Sequence, residues 1–239
     1  YHWPISSPTH VTSTIGEYRG DHLHNGIDFS TLNEENRDVY AIDTGTVARV
    51  MFDADKYGKT LILEHPDGRR SWYSHLRQLA PWLRERLSRS VNPGTDFQPS
   101  TDISTSRGRV IGEAGQTGRG GLHLHMALET EHGRFLNPLN RFRPHLPFNG
   151  RPTVQSVRLM PLGSGGWIDG SPSDRTYESI PRRRIKLWGQ VGLEVTLWNR
   201  HPGTGNRSLP ETIVVRQNGE ELFRREFSEL GPEDQKNNI

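Results

Sequence analysis

Apolar and polar residues alternate along this chain in short runs separated by glycine- and proline-bearing turns, the pattern of half-buried β-strands. Residues 39–50 form two such runs on either side of Thr44-Gly45. Residues 60–64 alternate, Pro66-Asp67-Gly68 turns, and residues 71–76 extend again, which predicts a hairpin. Leu83 and Leu87, four apart within residues 77–90, predict a helix there. Residues 92–109 are polar and broken by proline, and predict an irregular loop. Residues 110–112 open a further strand, the glycine-rich stretch 115–121 turns, and residues 122–129 extend once more.

Prolines cluster with a glycine at residues 144–152, which predicts a domain boundary. Beyond it the β pattern persists at 153–160, 184–188, 192–198, 213–216 and 221–227. Asn218-Gly219 joins the last two runs and is a strong hairpin turn. The expected fold class is mainly β, with one domain over residues 1–148 and an Ig-like β-sandwich over 149–239. Residues 232–239 are polar and unlike a strand, so that sandwich is expected to be incomplete.

The 239 residues include no cysteine, which excludes disulfide scaffolds, thiolate metal sites and a cysteine nucleophile. No run approaches the ~20 apolar residues of a membrane-spanning helix, so no transmembrane segment is expected. The formal net charge of +2 does not point to a nucleic-acid partner. Ten of the eleven histidines lie within residues 1–150, which assigns the chemistry to the first domain. The chain begins at Tyr1, as expected of a processed protein or one trimmed at that end.

Three local patterns carry candidate chemistry. In His123-Leu124-His125 a strand points both imidazoles to one face, where they hold a metal ion or simply sit at the surface. In His24-Asn25-Gly26-Ile27-Asp28 the Asn-Gly pair argues against a helix, so a turn must bring His24 and Asp28 together. Histidine and carboxylate are the only strong zinc donors left in a chain without thiolates. His75, in Tyr73-Ser74-His75-Leu76, is a further strand histidine, structural or a proton acceptor. No His-Glu-x-x-His motif exists, so the glutamate base of that metalloprotease class is missing.

Taken in order, His24-x-x-x-Asp28, Tyr73-x-His75-Leu76 and His123-x-His125 resemble the lysostaphin-type (LytM-type) zinc peptidases. The resemblance extends to Gly26-Ile27-Asp28-Phe29, Ala41, Gly45-Thr46-Val47, Tyr57-Gly58, Gly112, Gly115-x-Thr117-Gly118 and Asn137-Pro138-Leu139, and covers roughly residues 1–139. It implies a compact antiparallel β-sheet domain with a groove running over it, and an insertion at about 77–109 that borders the groove. It implies His24, Asp28 and His125 as ligands of Zn2+, His75 and His123 as non-ligand catalytic histidines, and Tyr73 beside the substrate. The activity implied is an endopeptidase that hydrolyses peptide cross-links or bridges of peptidoglycan. A zinc-activated water would serve as nucleophile, and the two histidines would share the acid–base and oxyanion roles. Such an enzyme works in the periplasm or after secretion. The chain departs from the family at Leu122, where proline is frequent, and at Met126-Ala127, where Phe-Glu is frequent. The alternative is a non-catalytic peptidoglycan-binding or hydrolase-activating factor of the same fold, in which ligands are typically lost.

Other residues take plainer readings. His22 is expected in a loop, and His65 at a hairpin end. His2, His10, His132 and His145 show no spacing partner. Trp72 alternates with Tyr73, so it is expected in the core with Tyr73 facing the groove. Arg182-Arg183-Arg184 reads as a charged strand edge.

Overall fold

The computed structural model describes residues 1–7, 9–20, 22–88, 90–142, 152–200 and 206–235. The expected boundary at 144–152, and with it His145, falls almost entirely outside them. The chain divides into two compact units, residues 1–148 with 211–239, and residues 149–210.

The first unit is built on strands β1 (Val11–Ser13), β2 (Ile27–Ser30), β3 (Asp38–Tyr40), β4 (Gly45–Asp53), β5 (Gly58–Glu64), β6 (Arg70–Ser74) and β7 (Leu76–Leu79). Helix α1 (Pro81–Leu87) follows, then β8 (Asp96–Phe97), β9 (Ser104–Thr105), β10 (Val110–Ala114), β11 (His123–Glu129), β12 (Phe135–Leu136) and helix α2 (Leu139–Phe142). The large sheet runs β1-β2-β11-β6-β5-β4-β8, with β12 on β11 and β9 on β4. A small sheet of order β3-β10-β7 lies apart from it. Every pairing in both sheets is antiparallel.

The main core joins the two sheets. Ile27, Phe29, Leu61, Leu63, Tyr73, Leu124 and Met126 from the large sheet cluster with Val39, Leu76, Leu79 and Ile111 from the small one. Burial of that much aliphatic and aromatic surface is the main stabilising term of the unit. The opposite face of β11 and β6 carries a smaller cluster of Ile15, Ala127, Phe135 and Leu230, with Leu23 and Trp72 packed against it. Alternation along β11 therefore sends Leu124 and Met126 to the main core, and His123, His125 and Ala127 to the other face.

The segment 77–109 differs from expectation. Its first residues extend as β7, and only Pro81–Leu87 is helical, with Leu83 and Leu87 buried. The loop expected at 92–109 contains β8 and β9, which pair with β4. In sheet order β8 lies four strands from β11, about 19 Å at the usual strand spacing. Pairing with the far edge of the sheet therefore holds residues 92–109 away from the histidine-bearing strands.

The second unit contains β13 (Thr153–Pro161), β14 (Trp167–Ile168), β15 (Arg175–Tyr177), β16 (Leu187–Trp188), β17 (Val191–Arg200) and β18 (Arg207–Ser208). They form a four-stranded antiparallel sheet, β15-β13-β17-β18, and a β14-β16 ribbon. Arg182, Arg183 and Arg184 lie outside the strands, and Arg183 pairs with Asp169.

Residues 211–239 were expected in the same module as 149–210 and instead belong to the first unit. Strands β19 (Thr212–Gln217) and β20 (Glu220–Glu226) make the hairpin over Asn218-Gly219, both with positive φ. Strand β21 (Glu229–Leu230) then pairs with β12, and a short helix, α3 (Pro232–Gln235), follows. Leu230 is fully buried in the Ile15 cluster, and Arg134 holds Glu229 and Glu233. Two residues of strand leave no periodic signal, so this return of the chain is invisible to pattern reading.

Candidate active site

Sheet register assembles the site. Asp28 on β2 stands directly opposite His125 on β11, and Ser74 on β6 stands opposite His125 from the other side. His24 precedes β2 in a turn held by two backbone bonds, its N–H to the Glu17 carbonyl and the Gly16 N–H to its own carbonyl. Gly26 permits the close approach: a Cβ there would lie 2.4 Å from the Met126 carbonyl and 2.8 Å from the His125 ring.

Three donor atoms converge. His24 Nε2 lies 3.1 Å from Asp28 Oδ1 and 3.0 Å from His125 Nδ1, and His125 Nδ1 lies 2.9 Å from Asp28 Oδ1. All three residues are buried. His24 Nδ1 faces the Thr14 carbonyl at 2.9 Å, and a carbonyl only accepts, so that nitrogen carries the proton and Nε2 presents a lone pair. Two imidazole nitrogens and a carboxylate oxygen facing one another at such distances repel unless a proton or a metal cation lies among them. Ligands at about 2.0–2.1 Å from a tetrahedral Zn2+ stand about 3.3 Å apart, within a few tenths of what is found. His24, Asp28 and His125 thus fit a zinc ion, and they are the one such cluster among the described residues.

The protonation states suit metal binding, because ligands must be deprotonated to bind. Burial pushes the His125 imidazole down to about 4, so it is neutral at pH 7. Burial would raise the Asp28 carboxyl, but the His24 and His125 imidazoles beside it hold it well below the usual range.

His75 and His123 stand beside this cluster, their rings 4.4 Å apart. His123 Nδ1 donates to the Gly121 carbonyl at 2.7 Å, and its Nε2 faces Asp28 Oδ1 at 3.7 Å. His75 Nδ1 donates to the Thr117 carbonyl at 2.8 Å. In both rings Nδ1 carries the proton and Nε2 is left as an acceptor. Burial, then repulsion by His123 and His125, pushes His75 down to about 3, so it too is neutral at pH 7.

His75 has φ +60°, a left-handed conformation that strains a residue with a Cβ. Its surroundings impose it. The His75 N–H donates to the Tyr57 carbonyl at 2.9 Å while its ring is held by Thr117. The 57–58 and 117–118 turns press backbone on backbone: a Cβ on Gly58, at φ +60°, would lie 2.1 Å from the Thr117 carbonyl oxygen. The glycines at 58 and 118 therefore serve this contact between turns. Gly58→Ala is expected to cost at least about 1–2 kcal/mol in stability from the left-handed backbone alone. For the zinc peptidase activity that the resemblance implies, it is also expected to lower kcat with zinc content unchanged, read by urea unfolding, metal analysis and steady-state kinetics.

The left-handed residue corrects the expectation for Tyr73. Unbroken alternation would place Tyr73 and His75 on one face. The strand instead ends at Ser74, and His75 turns onto the site face. Tyr73 pairs with Met126 on the core face and is 0 % exposed. Its hydroxyl accepts the Ile42 N–H at 2.9 Å and lies 3.0 Å from Ser71 Oγ, which in turn contacts His65. Tyr73 is thus a core residue, and Trp72 is the half-exposed one, its Nε1 donating to Glu129. Tyr73→Phe is expected to leave KM for a peptide substrate unchanged and to lower stability by about 1–3 kcal/mol, the usual cost of orphaning buried polar groups. A raised KM at unchanged stability, from the same urea and kinetic measurements, would return Tyr73 to the substrate.

Tyr57, not Tyr73, is the tyrosine that stands beside the His-Asp-His cluster. Its ring lies 5.7 Å from that of His125, and its hydroxyl accepts from Asn25 Nδ2 at 2.8 Å. The Tyr57-Gly58 pair at the β4–β5 turn was the available signal. His22 is exposed and outside the metal-binding cluster.

The model of "Peptidase family M23" matches residues 22–138, a span that contains His24, Asp28, His75, His123 and His125. No curated protein sequence matches the chain. Among solved structures, a zinc-containing peptidase from Vibrio cholerae is 27% identical with a TM-score of 0.38, the match covering 54% of this chain and 36% of that one. The catalytic domain of the antimicrobial peptidase lysostaphin from Staphylococcus simulans is 23% identical, covering 54% and 89%, with a TM-score of 0.39. A mutant catalytic domain of the prophage-encoded M23 protein EnpA from Enterococcus faecalis is 21% identical, covering 57% and 92%, with a TM-score of 0.41. Residues 22–138, which carry the His-Asp-His cluster, thus match peptidase family M23 as a LytM-type domain.

Proposed function

We propose that the chain is a zinc-dependent endopeptidase that hydrolyses peptide cross-links or bridges of peptidoglycan, acting in the periplasm or after secretion. The observation that carries this reading is the convergence of His24 Nε2, Asp28 Oδ1 and His125 Nδ1 beside two histidines whose Nε2 atoms remain acceptors. Zinc held by these three residues supplies Lewis acidity, which favours ionisation of a water and polarises a peptide carbonyl. The chain's own residues handle the protons. His75 and His123, both with Nδ1–H on a backbone carbonyl, take the proton of the attacking water at an Nε2 and deliver it to the leaving amine. The partner ring, 4.4 Å away, donates to the tetrahedral oxyanion when protonated. The carbonyls of Thr117 and Gly121 keep both rings in one tautomer throughout.

The match of residues 22–138 to a peptidase family and the presence of all five side chains support catalysis over a binding role. No helix among the described residues is long and apolar enough to cross a membrane. The test is metal analysis of the purified protein together with muropeptide release from isolated peptidoglycan. Zinc near one equivalent with release of new muropeptides, both lost on chelation and restored by zinc, is the expected result. Zinc uptake without any muropeptide release would favour the non-catalytic factor, and no zinc uptake would end the metal reading.

A further inference from the structure

We propose that Arg19 is a positioning residue for the metal-binding cluster, and that the loop 13–19 sets the geometry of two of its three ligands. The inference rests on the zinc reading above and extends it to residues outside the His24-x-x-x-Asp28 motif.

Asp28 has two carboxylate oxygens with separate tasks. Oδ1 faces His24 and His125, while Oδ2 accepts from the Arg19 guanidinium at 3.0 Å. With Oδ2 so engaged, Oδ1 alone is offered to a metal, and the carboxylate plane cannot swing to bring both oxygens inward. Arg19 is itself steadied by Ser13 Oγ, and Ser13 stands opposite Asp28 in the β1–β2 register.

The same loop holds His24. Thr14 contributes the carbonyl that fixes the His24 tautomer at 2.9 Å. Glu17 holds Thr14 in place, accepting its N–H at 2.6 Å and its hydroxyl at 2.8 Å, and also accepts the Ser13 hydroxyl. The Glu17 carbonyl receives the His24 N–H at 2.8 Å. Beneath the loop, Ile15 is buried against Ala127, Phe135 and Leu230. One loop anchored in that small core thus orients His24 through a backbone carbonyl and Asp28 through an arginine. The Arg19 side chain is 40% exposed, so its loss leaves little buried surface behind.

Outer partners of metal ligands typically account for 10–100-fold in metal affinity. Arg19→Ala is expected to weaken zinc binding by about 10–100-fold, measured by competition with a chromophoric chelator, with the unfolding midpoint of the metal-free protein unchanged. Arg19→Lys keeps a cationic donor to Oδ2 and is expected to recover most of the affinity. Cobalt substitution supplies a readout that a merely structural role would not move. Freeing Oδ2 to coordinate raises the coordination number, so Arg19→Ala is expected to lose visible d–d intensity relative to the wild type. Zinc affinity of Arg19→Ala within twofold of the wild type, or a loss matched by an equal loss of metal-free stability, would overturn the proposal. If the wild-type chain binds no zinc, the metal reading itself fails, an outcome distinct from a wild type that binds zinc and an Arg19 variant that binds it equally well.

Discussion

Replacing His125 with alanine is expected to abolish zinc retention. His125 supplies one of the three converging atoms, and its Nδ1 lies within 3.0 Å of both the others. Removing it leaves His24 and Asp28 as a two-donor site open to water, short of the three protein ligands of catalytic zinc sites. Since outer partners alone account for 10–100-fold, loss of a ligand is expected to exceed about 100-fold in affinity. Metal analysis after gel filtration reads the loss, and muropeptide release is expected to vanish with it. Retention of a full equivalent of zinc by His125→Ala would show that the ion is held elsewhere.

His75→Ala is expected to separate binding from chemistry. His75 is not among the three converging residues, and its ring is held through Nδ1 by the Thr117 carbonyl. Zinc content is therefore expected to stay at the wild-type level. Loss of a positioned proton acceptor typically lowers the rate by about 10²–10⁴-fold, and kcat is expected to fall by that much with KM nearly unchanged. The left-handed backbone at φ +60° complicates any substitution there, so His75→Asn serves as control, asparagine being better tolerated in that region. Equal loss of kcat in both variants, with zinc retained, assigns the effect to the imidazole. Wild-type kcat in either would remove His75 from the mechanism.

Much of the site was legible because its signals are local. A period of two places His123 and His125 on one face whatever the strand pairs with, and the structure puts both there. The absence of cysteine restricts zinc to histidine and carboxylate, the donors that converge. Tyr73 was misplaced for a physical reason of the same kind: period-two counting holds only while the strand continues. His75 resets it with a positive φ imposed by Tyr57 and Thr117, neither a sequence neighbour. Arg19 carried no signal because an arginine in a polar loop looks like any solvated charge until Asp28 is brought within 3.0 Å. The placement of residues 211–239 was illegible because Glu229–Leu230 is too short to show a period, and its partner β12 lies more than 90 residues earlier.

By itself, the amino-acid sequence determined the β character of the chain, the three histidine motifs and the chemical types able to hold a metal. These follow from backbone periodicity and side-chain chemistry, which act within a few residues. Tertiary structure alone decided that Asp28 and His125, 97 positions apart, meet at 2.9 Å. It also decided that Tyr73 packs in the core while His75 turns outward, and that the 13–19 loop grips two of the three converging residues. Distances of a few ångströms between remote residues depend on strand register and on contacts between turns, and those are settled only when the whole core packs.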